Sequence, residues 1–287
     1  MLFRFNYRSQ ALGHYVDVSV VIPTNRISYY DMTAGAREHT GPGAIKARPV
    51  YHPGMKFQTV YLIHGGGDDD SLTFRYTNVE RYAEDNMVML VVPDVANSFG
   101  VDTDYGKNYS TFIAEELPVV IQSLFPSSPA REDNFIVGYA MGGNAALGNA
   151  ILHPERWAAC VDLSGGIGLT PRTEALQEEL RSEHFSHFPI YLSTFGPAED
   201  LPGSRHDIAE AVRQGLARGV DFPEIHMVCG DLEFIRARVE ADVERFHELG
   251  LPVRYTLAEG YHHDFDMWDV YLRKTLAEYL PLKREIL

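Results

Sequence analysis

The stretch NFIVGYAMGGNAALGNA, residues 134–150, decides the fold. Residues 134–140 form a short apolar run without alternation, the pattern of a strand covered on both faces. From Met141 the composition turns to Gly and Ala at helical spacing, so strand, sharp turn and helix follow one another directly. The turn reads Gly138-Tyr139-Ala140-Met141-Gly142, with a glycine on each side of the central residue, which lets strand and helix pass closely. Gly143, Ala145, Ala146 and Gly148 extend the same demand along the helix.

Outward from this unit the same rhythm repeats. QTVYLIHG, MVMLVVPD, WAACVDLSG, EIHMVCG and VRYTLAEG read as further strands, and 110–124, 142–152, 207–218, 234–249 and 266–280 show helical spacing. Alternating strand and helix units predict an α/β fold: a mostly parallel central sheet with helices on both faces. Upstream, YVDVSVVIP at 15–23 alternates apolar and polar residues, as expected of a half-buried antiparallel strand near a sheet edge. Two stretches break the rhythm. Residues 24–56, with GPG and HPG, read as a surface insertion, and 167–206, with TPRT, HFP, GPAED and LPGS, read as a cap-like insertion over the strand ends. The expected organisation is one domain over residues 1–287, a size that α/β folds reach as a single unit.

Composition narrows the function. The chain is 45% hydrophobic and 23% charged, enough apolar material for a large core, and its formal net charge is −15. That charge argues against nucleic acid and against an anionic membrane surface as partners. No stretch approaches the roughly 18 consecutive apolar residues of a membrane span, and the first ten residues lack a secretory pattern. Cys160 and Cys229 lie in apolar runs and read as buried free thiols, which suits a reducing, cytoplasmic setting. A small-molecule substrate, neutral or modestly charged, fits better; association into a homo-oligomer is left open.

The chemistry centres on the turn. In the pattern G-x-S-x-G the turn strains the central residue so that its side-chain oxygen projects above the sheet as a nucleophile. Here that residue is Ala140. VYLIHGGG at 60–67 ends another strand in His-Gly-Gly-Gly, where the Gly66 amide, with that of Met141, would donate to a developing oxyanion. His64 and Gly65 of the same loop are expected to line the substrate. The run Asp68-Asp69-Asp70 reads as a solvated face rather than a metal site. An acid and a histidine are expected after the next strands, in that order. Gly230-Asp231-Leu232-Glu233 and Gly260-Tyr261-His262-His263 fill both places. Histidines such as His153, His184, His187, His206 and His247 read as surface or structural, and Ser164, in DLSGG, lacks the elbow pattern.

Over nearly its whole length, from LGHYVDVSVVIP through HGGGDDDSLTFRYTNVERYA and FIVGYAMGGNAAL to EGYHHDFDMW, the chain resembles the esterase D branch of α/β-hydrolases. That branch includes S-formylglutathione hydrolases, tributyrin esterases, and the acetyl-xylan and feruloyl esterases of carbohydrate esterase family 1. The resemblance implies a serine carboxylesterase that needs no cofactor and no metal. It makes Ala140 the nucleophile position, His263 the general base with His262 as runner-up, and Gly66 with Met141 the oxyanion donors. The family's pattern has Asp at the place Glu233 occupies; the acid is expected at Glu233, with Asp231, two residues earlier, as the alternative. Phe265 and Trp268 are expected to line the substrate pocket, Trp268 equally well to pack its helix. Ala140 is read as the replacement of a nucleophilic serine, leaving an inactive form. A natural non-catalytic binding protein and an S-formylglutathione hydrolase-type thioesterase are the alternatives.

Overall fold

The computed structural model describes residues 1–24, 51–166 and 188–287. Eight strands form one sheet: β1 Leu2–Arg8, β2 Tyr15–Val21, β3 Thr59–Ile63, β4 Met89–Pro93, β5 Asn134–Tyr139, β6 Ala159–Leu163, β7 Glu224–Gly230 and β8 Val253–Ala258. Their order across the sheet is β1-β2-β4-β3-β5-β6-β7-β8. The β1–β2 and β2–β4 pairs are antiparallel and every pair from β4 to β8 is parallel. The expected mostly parallel α/β sheet is therefore present.

Burial follows from this layout. β3, β4, β5 and β6 are buried at every residue, because helices cover both faces of the parallel part and leave no side for polar residues. Two apolar clusters result, one on each face: Ile63, Phe112, Ala145, Trp157 and Phe246 belong to one, Leu62, Tyr82, Tyr139, Trp268 and Leu272 to the other. The elbow helix Met141–Leu152 is buried from Met141 through Ile151, which its small side chains permit.

Three expectations change. β2 is antiparallel and lies one strand in from the sheet edge, as expected, but it is more buried than its alternation implies: β1 pairs with it from Leu2↔Val21 to Arg8↔Tyr15, and Ser19 is buried, donating to Asp70 at 2.7 Å. Two helices, Leu72–Tyr76 and Val79–Asp85, lie between β3 and β4, where the polar sequence is too short-ranged to show a helical period. Within the acidic run, Asp70 is buried, held by Arg4 at 2.6 Å as well as by Ser19, so this part of the loop is a structural anchor rather than a solvated face.

Most of the 24–56 insertion, and 167–187 of the cap-like insertion, lie outside the described residues. The remainder of the second begins with helix Phe188–Phe195, whose Phe195 ring tilts against Phe99 at 5.3 Å and packs against Val101 and Leu201. Among the described residues no helix is long and apolar enough to cross a membrane. Cys160 and Cys229 are both free and buried.

Candidate active site

In a parallel sheet, ligands bind beyond the carboxyl ends of the strands. The candidate residues stand there, at the ends of β3, β5, β6, β7 and β8. At the end of β5 the backbone of Ala140 has φ 51 and ψ −124, a conformation that a residue with a Cβ rarely adopts. The glycines beside it are there for space. A Cβ on Gly138 would lie 1.9 Å from the Gly142 oxygen, and one on Gly142 would lie 2.1 Å from the Ile63 oxygen. The Ala140 amide donates to Leu163 O at 2.9 Å, and its carbonyl accepts from Gly143 at 2.9 Å, so the turn is tied to β6 and to its own helix.

The amide of Met141 opens the helix, where no intrahelical acceptor is available to it. Facing it is the loop after β3: a Cβ on Gly66 would stand 3.8 Å from the Met141 Cβ. His64, expected to contact substrate, does something else. It is fully buried, its Nδ1 donates to Gly65 O at 2.8 Å and its Nε2 accepts from the Val95 amide at 2.9 Å. Holding the Gly65 carbonyl fixes the plane of the Gly65–Gly66 peptide, and with it the direction of the Gly66 N–H. Gly65 is buried too, and a Cβ there would meet Tyr139 at 2.9 Å. The next amide, Gly67, donates to Asn97 Oδ1 at 2.7 Å. Tyr139 donates to Asp68 Oδ2 at 2.9 Å, joining loop to elbow. Burial raises the Asp68 carboxyl and pushes the Tyr139 phenol up.

After β7 the two candidate acids separate. The Glu233 side chain is fully buried; its Oε2 accepts from His263 Nδ1 at 2.7 Å. Its Oε1 accepts from the Gly230 amide and from the Ser164 hydroxyl, each at 2.7 Å. Asp231 instead accepts from the Gly260 amide at 2.7 Å, pinning one loop to the other. Of the two histidines, His262 is exposed and His263 lies half-buried over the site.

Trp268 is 7% exposed and donates through Nε1 to Ser164 Oγ at 3.2 Å, so it packs and braces rather than lining a pocket. Its ring stands edge-on to His263 at 5.0 Å and tilts on Tyr139 at 4.9 Å, which holds the imidazole within one ring's span of the residue before Ala140. Phe265 is half-buried and stacks on exposed Tyr76 at 5.0 Å, while Phe234, 84% exposed, lies 5.0 Å from the His263 ring. Phe234 rims the site at the imidazole, and the Phe265–Tyr76 pair does so at Tyr139 and Trp268. Phe234, Tyr76 and Ser164 were not singled out by sequence for these contacts. The aromatic character of the first two was visible, but their placement at the rim depends on loop geometry. Of the other histidines, His247 Nε2 donates to Val253 O at 2.9 Å, His153 pairs with Ser110 at 3.0 Å and His206 stands edge-on to Phe195 at 5.3 Å, all structural contacts, while His184 and His187 lie outside the described residues.

This constellation offers a histidine held by a buried carboxylate, two backbone amides on facing segments, and a strained turn between them. Chemically it suits acyl transfer. The Esterase family model matches residues 44–279. An acetyl esterase of Caldicellulosiruptor saccharolyticus is 28% identical over 247 residues, covering 78% of this chain and 87% of that protein. Among solved structures, the fluorophosphonate-binding serine hydrolase F of Staphylococcus aureus, with substrate bound, superposes with a TM-score of 0.77 at 22% identity, over 96% of this chain and 97% of that one. The S-formylglutathione hydrolase FrmB of Staphylococcus aureus does so at 0.75 and 22%, with the same coverage.

Proposed function

The chain belongs to the Esterase family, and on that premise we propose that its site is built to hydrolyse esters of short or hydroxycinnamoyl acids with carbohydrate alcohols, through a serine at position 140 that is alanine here. In the serine form, Oγ attacks the ester carbonyl while His263 Nε2 takes its proton, with Glu233 stabilising the imidazolium. The amides of Gly66 and Met141 receive the charge that forms on the carbonyl oxygen. His263 then returns the proton to the leaving alcohol, and water repeats the sequence on the acyl-enzyme. With alanine the covalent route is closed, and the site binds ester without turning it over.

The observation that carries this reading is the Ala140 backbone. It keeps φ 51 beside a complete Glu233–His263 pair, although a methyl group has no use for that strain. A strained turn of this kind costs on the order of 1–3 kcal/mol and points to a functional demand. Acetyl groups are favoured by the relationship to the acetyl esterase, and aromatic acyl groups by the rim of Tyr76, Phe234 and Phe265. A thioester such as S-formylglutathione is the competing substrate. The competing class is a binding protein that is naturally without a nucleophile, which the alanine itself favours.

The test is Ala140→Ser, assayed with acetyl, butyryl, feruloyl and thioester substrates and labelled with a fluorophosphonate. Loss of the nucleophile in a comparable triad costs about 10⁶ in turnover, so the serine form should gain that order of activity. A folded serine variant with neither activity nor labelling would leave the binding-protein reading in its place.

A further inference from the structure

Ser164 is fully buried and follows β6 directly, with φ 60, a left-handed conformation for which glycine is the natural residue. The backbone here ties the two halves of the site together. Leu163 O accepts from the elbow amide of Ala140 at 2.9 Å, and the Ser164 amide donates to Val228 O of β7 at 2.8 Å. The hydroxyl stands 2.7 Å from Glu233 Oε1, 3.2 Å from Trp268 Nε1 and 3.4 Å from Met267 Sδ. Its single hydrogen goes to the carboxylate, a far stronger acceptor than the Met267 sulfur, and its lone pair takes the indole N–H.

The contacts close a ring. Trp268 donates to Ser164, Ser164 to Glu233, His263 to Glu233 Oε2, and the Trp268 ring abuts the His263 ring at 5.0 Å and 86°. A glutamate has one more torsion than an aspartate, so it needs more restraint to present one fixed oxygen. Here Gly230 N–H and Ser164 O–H occupy Oε1 together and leave Oε2 for the histidine. We propose that Ser164 is a positioning residue for the Glu233–His263 pair, holding the acid so that the imidazole keeps its Nδ1–H tautomer and its aim at the elbow. The proposal rests on the acyl-transfer reading for its catalytic consequence, and on the ring of contacts for its structural one.

Two measurements test it separately. In the protein as it stands, with Ala140, the low-field proton NMR signal of the His263 Nδ1–H reports the short bond to Glu233. Ser164→Ala and Ser164→Gly should both move that signal upfield and broaden it by exchange with water. Glycine relieves the left-handed backbone strain, so Ser164→Gly should melt at or above Ser164→Ala. Equal loss of the signal in both would then trace to the hydroxyl, not to the backbone. A signal unchanged in both variants would overturn the proposal.

In the Ala140→Ser background, either change should lower kcat by about 10- to 100-fold, as a misplacement near 1 Å does, with KM little changed. The acidic limb of kcat/KM should move to lower pH, because a loosened carboxylate stabilises the imidazolium less. Trp268→Phe, which keeps a ring against His263 but loses the N–H, should give a smaller loss that is not additive with Ser164→Ala. Full kcat in Ser164→Ala, or strictly additive losses, would likewise overturn the proposal. Should Ala140→Ser itself be inactive, the esterase reading fails, while the NMR measurement still decides the role of Ser164.

Discussion

Replacing Glu233 by Gln in the Ala140→Ser protein keeps the size of the side chain and removes one acceptor oxygen. Three donors meet this carboxylate: Gly230 N–H and Ser164 O–H on Oε1, and His263 Nδ1–H on Oε2, each at 2.7 Å. Glutamine has a single oxygen, and two of the three donors converge on one position. With its oxygen there, its NH₂ faces His263 Nδ1. The imidazole must then offer a lone pair at Nδ1 and carry its proton on Nε2, the nitrogen that has to accept from serine. In a comparable serine-protease triad this acid-to-amide change preserves geometry and lowers kcat by about 10⁴ through the wrong tautomer. The expected loss is of that order, about 5 kcal/mol of transition-state stabilisation. Asp231 is the internal control, because its contact is with the Gly260 amide and not with a histidine. Asp231→Asn should cost at most about 1 kcal/mol in stability, because the asparagine oxygen can still accept from the exposed Gly260 amide, with kcat nearly unchanged. Initial rates on p-nitrophenyl acetate and urea melts of the same preparations separate the two effects. An Asp231→Asn protein slower than Glu233→Gln, or a Glu233→Gln protein within about tenfold of its parent, would refute the assignment of the acid.

Other substitutions probe the rest of the site. In the serine form His263→Ala should be nearly inactive and His262→Ala close to the parent, since His262 is exposed; the opposite ranking on p-nitrophenyl acetate would move the base by one residue. Gly142→Ala puts a Cβ 2.1 Å from the Ile63 oxygen and should cost about 3 kcal/mol or more, whereas Gly148→Ala on the same helix, with its nearest neighbour at 4.0 Å, should gain up to about 1 kcal/mol. Equal melting shifts would contradict the packing of the elbow. Burial pushes the Asp162 carboxyl up to about 8, against an unfolded value near 4, so folding takes up a proton between those pH values. The stability this group confers is complete below about pH 4 and is lost as pH rises toward 8. Asp162→Asn cannot ionise, so urea titrations should show its stability relative to the parent growing with pH across that window, and a constant difference would mean the carboxyl is not held neutral.

What was legible in the sequence was local. Strand, turn and helix at 134–152 are encoded within a few residues, because the crowding at Gly138 and Gly142 excludes side chains there. The parallel sheet followed from the alternation of runs covered on both faces. What was not legible depends on contacts between distant segments. Asp231 and Glu233 are both adjacent to the end of β7, and their roles are sorted by the approach of the other loop, where a Cβ on Gly230 would meet Tyr261 O at 2.3 Å. His64 belongs to the oxyanion loop by sequence, yet it faces inward to Val95, and nothing in HGGG says which way the ring points. Asp70 was hidden for the same reason: its partner Arg4 is 66 residues away. Ser164 lacks the elbow pattern of an attacking group, and its use as a donor appears only once β6 lies between the elbow and β7.

The mismatch at Ala140 is of another kind, since there sequence and geometry are both plain and disagree. Every restraint on the turn, from the Leu163 and Gly143 hydrogen bonds to the crowded glycines, serves to hold a residue at φ 51 above the sheet. Elsewhere in the site each restraint has a beneficiary: His64 aims an amide, and Ser164 and Gly230 aim a carboxylate. A methyl group benefits from none of this, and glycine would occupy the same backbone without strain. Local conflict of this sort is expected where function, rather than stability, sets the residue. On the proposed acyl-transfer reading, an oxygen on the Cβ of residue 140 gives the strain its use.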